Sequence, residues 1–90
     1  MIWNLLITER FANEFKQFKK NKEFCHALNQ KIERLKQDPN NLGGYLSGRL
    51  HGYKSIRLMK NYRIIFRISE LDNNVYLIAI DHRKKDYENF

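Results

Sequence analysis

At 90 residues the chain is short, and one domain spanning residues 1–90 around one core is expected rather than two modules. A single cysteine, Cys25, can close no intrachain disulfide, and the Cys/His spacing matches no metal-ligand pattern, so no metal is expected; with no glycine-rich phosphate loop between strand and helix, no small-molecule cofactor is expected either. The net charge of +7 points toward a polyanionic partner, while no apolar stretch approaches the roughly 20 residues that span a bilayer.

In chain order, residues 2–7 (IWNLLI) form an apolar run with no basic segment before it and no small-residue cleavage site after it. They read as a first strand rather than a signal sequence, and a reducing cytoplasm is the expected compartment. Thr8 is a suitable N-cap for a helix whose Phe11, Ala12, Phe15 and Phe18 make one apolar stripe. Lys19, Lys20 and Asn21 interrupt that stripe, and a second begins with Phe24, Ala27, Leu28, Ile32 and Leu35. Two helices in a hairpin follow, the second stopped by Asp38 and Pro39, because proline disfavours helical dihedrals in the residue before it. Cys25 belongs to the packed side of that helix.

The segment DPNNLGG at 38–44 separates the helical half from a strand half. Beyond it the period becomes two. Tyr45–Leu50 suggests a ragged strand start, Tyr53–Leu58 alternates, and Met59–Asn61 is a turn. Tyr62–Ile68 alternates again, with Tyr62, Ile64, Phe66 and Ile68 facing the helices and Arg63, Ile65 and Arg67 facing away. Leu71–Asn74 is a turn, and Val75–Ile80 is apolar on both faces, as an interior strand should be. Residues 83–89 (RKKDYEN) would make a short C-terminal helix or a tail. The expected fold class is α+β, with an N-terminal two-helix hairpin on one face of a mostly antiparallel four-stranded sheet in the order β-α-α-β-β-β.

Acidic residues are absent from Pro39 to Ser69, a stretch that contains Arg49, Lys54, Arg57, Lys60, Arg63 and Arg67. Side chains two apart on a strand share a face, so Ser55, Arg57, Arg63 and Arg67 should gather on one side of a hairpin. Like charges at that spacing repel, and without a carboxylate nearby they favour a bound anion. Phosphate suits them, because guanidinium offers a planar bidentate fork. Arg49, Arg57, Lys60, Arg67 and Lys84 are accordingly candidate phosphate or RNA contacts. A second cluster follows the last strand: Asp81, His82, Arg83, Lys84, Lys85, Asp86 and Tyr87. A histidine there can move protons near neutrality, and a tyrosine can stack on a base. His51, flanked by glycine, has no fixed geometry. Solvated charge and ordinary strand-end packing are the competing structural explanations for these residues.

The runs LSGRLHGYKSIRLMKNYRIIF at 46–66 and VYLIAIDHRKKDY at 75–87, with the element order, resemble the RelE/ParE toxin superfamily. Members of that superfamily cleave mRNA at the ribosome or poison DNA gyrase. Resemblance to the mRNA-cleaving branch implies an endoribonuclease toxin that makes the ribose 2′-OH attack the neighbouring phosphate without a metal. It implies a cognate antitoxin, the ribosome and mRNA as partners. By the same resemblance Arg63 would stabilise transition-state charge, Arg57 would position phosphate, His82 or Arg83 would protonate the leaving oxygen, and Tyr87 would stack on the bent nucleotide. Lys54 matches a basic position but alternates in phase with Ile56 and Leu58, so its role as a base requires a strand-end twist. Ile56 stands where the family's cleavers carry a second lysine, which leaves the base open. The alternatives are gyrase inhibition and a non-catalytic RNA-binding module.

Overall fold

The computed structural model describes residues 2–82. It contains five strands and two α-helices: β1 (Asn4–Ile7), α1 (Glu9–Phe15), α2 (Lys22–Gln37), β2 (Gly44–Tyr45), β3 (Lys54–Leu58), β4 (Tyr62–Ser69) and β5 (Asn74–His82). Short 3-10 turns occupy Lys16–Phe18, Pro39–Asn41 and Gly48–Leu50. The strands form one mixed sheet in the order β1-β5-β4-β3-β2, in which only the β1/β5 pair is parallel. The α+β architecture agrees with the sequence expectation, but the sheet has five strands rather than four. The added strand is the two-residue β2, which pairs with Ser55 and Lys54. The ragged start expected at Tyr45–Leu50 is instead the end of β2 and a 3-10 turn, with Gly48 and Gly52 both at positive φ.

The first helix begins where the sequence placed its cap. Thr8 accepts a hydrogen bond from the Phe11 amide at 3.1 Å, and its hydroxyl donates to the carbonyls of Leu77 and Ile78. One threonine therefore caps α1 and ties it to β5 just where β1 ends. Beyond that point the Ile80 amide donates to the Glu14 carboxylate at 2.8 Å, so a helix side chain serves the backbone edge that β1 no longer covers. Asn21 caps α2 by accepting from the Phe24 amide at 3.0 Å. α2 stops at Gln37, and Pro39, itself buried, opens a 3-10 turn.

Both helices cover one face of the sheet. Phe11, Phe24, Leu28 and Leu35 pack there against Ile56, Leu58, Ile64, Phe66, Val75, Leu77 and Ile80. Phe18 stacks on Phe24 with ring centroids 4.0 Å apart, and Tyr62 meets both edge-on. Cys25 is half-buried, its thiol donating to the Phe18 carbonyl at 3.3 Å. No helix among the described residues is long and apolar enough to cross a membrane.

Candidate nucleic-acid interface

Strand register decides which of the basic residues meet. Arg57 on β3 and Arg63 on β4 are direct cross-strand partners, and Ser55 lies opposite Ile65. Partners in register project to the same side, so both arginines stand on the face away from the helices. Arg67 follows on that side, four residues along β4. Arg57 and Arg67 are exposed and Arg63 is half-buried. β2 ends before reaching Arg57, which leaves that arginine at the open margin of the sheet. Lys60 is exposed in the turn that joins β3 to β4, and Arg49 is exposed in the 3-10 turn ahead of β3.

The expectation of arginines without a nearby carboxylate needs correction at Arg63. Its partner on β5 is Asp81, a buried aspartate on the same face. Arg63 thus stands between a cation on β3 and an anion on β5. Opposite charges in register on neighbouring strands are favourable, while Arg57 beyond Arg63 carries the positive field out to solvent.

A bulge explains why Asp81 reaches this side. Ile65 pairs with Ala79, but Phe66 pairs with Leu77, so Ile78 has no partner on β4. The extra residue shifts the phase of β5. Val75, Leu77 and Ile80 enter the core under the helices, whereas Tyr76, Ala79 and Asp81 share the side of Arg67, Ile65 and Arg63. Strict alternation across residues 75–82 assigns Asp81 and His82 to the opposite sides. His82 is in register with Tyr62, and their rings meet edge-on at 5.1 Å. It therefore sits at the rim of the aromatic cluster on the helix side, apart from the arginines.

Lys54 is also separated from them. It is 3% exposed on the helix side of β3, and its ammonium donates to the carbonyls of Pro39 at 3.2 Å and Asn40 at 2.8 Å. The Tyr45 ring lies 4.9 Å from the same nitrogen. Burial pulls its pKa below the ordinary lysine value, against an opposing pull from Asp38. The twist that would carry Lys54 around to the arginines does not occur, and the ammonium fastens the turn after α2 instead.

Arg83, Lys84 and Tyr87 lie outside the described residues. Of the remaining candidates, register brings Arg57 and Arg63 together, with Arg67 on the same face. Two residues of that face were not singled out from sequence. Asp81 was noticed only as part of a charged cluster, and Tyr76, in register with Arg67, holds that guanidinium 4.7 Å from its ring centroid. The bulge hid both. The sole sequence signal for them was a strand apolar on both parities that ends in Asp.

Two helices on one side of a mixed sheet is the fold this chain shares with type II toxin–antitoxin toxins of the RelE/ParE superfamily. The chain belongs to the ParE toxin family of those systems, whose model matches residues 5–87. No curated protein matches it in sequence. Among solved structures it is similar to the RelBE2 toxin–antitoxin complex from Mycobacterium tuberculosis, with a TM-score of 0.78 at 20% identity over 92% of this chain and 100% of that one. A variant of the Escherichia coli toxin RelE in the free state gives 0.76 at 18% identity, covering 97% and 90%. The chromosomal ParDE system of Pseudomonas aeruginosa gives 0.68 at 16% identity, covering 90% and 96%. At these identities the likeness is one of fold.

Proposed function

We propose that this toxin is a ribosome-dependent mRNA endoribonuclease that acts in the cytoplasm and is held inactive by a cognate antitoxin. The observation that carries the reading is the direct pairing of Arg57 with Arg63 on the sheet face away from the helices, with Arg57 exposed. Cleavage by 2′-OH attack on the adjacent phosphate builds negative charge on the phosphorane oxygens. Two guanidinium groups fixed on neighbouring strands can meet that charge without reorganising. In this scheme Arg63, steadied beside Asp81, stabilises the transition state and Arg57 grips the phosphate. Arg67, Lys60 and Arg49 extend the positive field along the message. Arg83 and Tyr87 are proposed for leaving-group protonation and for stacking on the bent nucleotide. His82, at the rim of the aromatic cluster, would need to swing away from Tyr62 to take part, and Lys54 contributes through the turn it fastens. The Mycobacterium tuberculosis relative was solved as a toxin–antitoxin complex, which supports an antitoxin partner here.

Toeprinting on translating ribosomes tests the reading. The parent should cut within codons, and Arg63→Ala should cut at least about a hundredfold more slowly, the usual loss when one preorganised charge-stabilising donor is removed. Undiminished cleavage by Arg63→Ala would refute the assigned role.

A second reading, inhibition of DNA gyrase, is favoured by two observations. The matching family model is that of ParE toxins, and both Lys54 and His82 lie on the helix side rather than beside the arginines. It predicts inhibited supercoiling by gyrase and intact message on ribosomes, and the two assays run side by side separate the readings.

A further inference from the structure

The sheet face that carries Arg57 and Arg63 has a second feature some distance away. Arg67, Tyr76 and Leu6 occupy one row across β4, β5 and β1, because Arg67 is in register with Tyr76 and Tyr76 with Leu6. The Arg67 guanidinium lies over the Tyr76 ring at 4.7 Å, and the Tyr76 hydroxyl accepts a hydrogen bond from the Asn74 side chain at 3.1 Å. Asn74 stands two residues away on the same strand, so the ring is held at both its face and its tip. Arg67 is exposed, and Leu6 is 42% exposed beside the ring.

Such a pair is built in advance for a nucleobase. A guanidinium stacked on an aromatic ring keeps its in-plane donors and presents its second flat face outward. Bases stack on guanidinium and aromatic planes in just this way in single-stranded RNA complexes. Arg57, Arg63 and Arg67 share this face, and although Glu70 and Asp72 follow in the turn beyond Ser69, the three guanidiniums favour a polyanion while the stacked pair favours one that carries bases. Arg67 lies four residues beyond Arg63 on β4, roughly 13 Å by strand rise. That is several times the roughly 3.4 Å step of stacked nucleotides. The platform therefore meets a base flanking the reacting phosphate, more than one nucleotide away.

We infer that Arg67 and Tyr76 form a stacking subsite for one flanking base of the message, separate from the arginine pair at the phosphate. This rests on the proposed RNA-directed activity and adds to it a determinant of where along the message the toxin settles. Leu6 would form an apolar kerb to the subsite, and Asn74 would act as a positioning residue through the Tyr76 hydroxyl.

The test uses the full chain and ribosomes programmed with a 2′-O-methylated message, which binds without being cut. Tyr76→Leu and Arg67→Gln should each weaken binding about tenfold, within the range of one lost base stack, while Tyr76→Phe, which keeps the ring, should bind within a factor of about two of the parent. An abasic nucleotide walked along the message should weaken the parent at one flanking position, and there the parent and Tyr76→Leu should become equal. A loss in Tyr76→Leu that no abasic position abolishes would overturn the subsite. So would parent-like message binding by Tyr76→Leu together with weakened antitoxin binding, since the platform would then serve a protein. Cutting of unmodified message keeps the two ideas apart. A parent that does not cut removes the proposed activity, whereas a parent and Tyr76→Leu that cut and bind alike remove the subsite alone.

Discussion

The two faces of the sheet are written in alternate residues of the same three strands, and they obey opposite rules. On the helix side Ile56, Leu58, Ile64, Phe66, Val75 and Leu77 are buried among the aromatic rings of α1 and α2. On the other side Arg57, Arg63 and Arg67 run across β3 and β4, with Tyr76 and Asp81 on β5. The helix-side parity supplies most of the apolar burial, and the other, although Ile65 and Ala79 are buried on it, retains like charges that folding alone would not select. Substitutions on the two sides should therefore separate into stability effects and binding effects. The largest effect is expected at Phe66, which is fully buried at the centre of the helix-side cluster. Phe66→Ala should destabilise the protein by about 3–5 kcal/mol, read as a lowered urea midpoint. A loss no greater than that of Arg57→Ala would break the contrast.

Next in size is a backbone effect at the margin of the sheet. Gly43 has φ of +65°, and a Cβ at that position would stand 2.3 Å from the Ser55 carbonyl oxygen. Gly43→Ala combines left-handed strain with a clash against backbone that cannot retreat, and should cost about 2–4 kcal/mol. The loss should appear first as faster amide exchange at β2, with β4 and β5 protected until global unfolding. Uniform loss of protection would show that β2 is no separate edge.

Lys54 is the exception on the helix side, and it sharpens the contrast. Lys54→Met would leave the Pro39 and Asn40 carbonyls without their donor, costing about 1–3 kcal/mol by chemical denaturation. The sign of its pH dependence follows from the lowered pKa. Between that depressed value and the ordinary 10.5, the unfolded chain binds more protons than the folded one, so stability rises with pH. The parent should therefore gain on Lys54→Met as pH climbs toward 10.5, because the buried ammonium loses its charge. A gap between the two proteins that narrows over that interval would contradict the desolvated ammonium.

Much of this division was legible in the sequence because period-two alternation in residues 62–68 is unbroken, and the Thr8 cap of the first helix is short-range chemistry. Arg57 and Arg63 follow from that alternation with the turn at Met59–Asn61, since a three-residue loop sets Leu58 against Tyr62 and hence Arg57 against Arg63. The rest depended on long-range geometry. No local signal in VYLIAIDH marks Ile78 as a bulge, and that one inserted residue exchanges the sides of Asp81 and His82. Lys54 was in phase with the core, but its burial depends on two carbonyls of the turn after α2, 14 and 15 residues earlier. A strand of two residues, β2, is shorter than any periodicity can reveal.

The smallest expected effect is the one most specific to the arginine face. Arg57 faces Arg63 directly, and like charges in register oppose folding by a few tenths of a kcal/mol up to about 1. Arg57→Thr removes that repulsion and puts a good strand former in its place, so the variant should be slightly more stable than the parent at low salt. Because Arg57 is exposed, added salt should screen the repulsion and shrink the gain, leaving only the propensity difference. The same substitution should weaken message binding and flatten its salt dependence by about one phosphate contact. A residue that costs stability and secures binding is held by function. If Arg57→Thr is instead less stable at every salt concentration, the arginine belongs to the structural side of the ledger, and the anion-binding assignment of this face loses its second guanidinium.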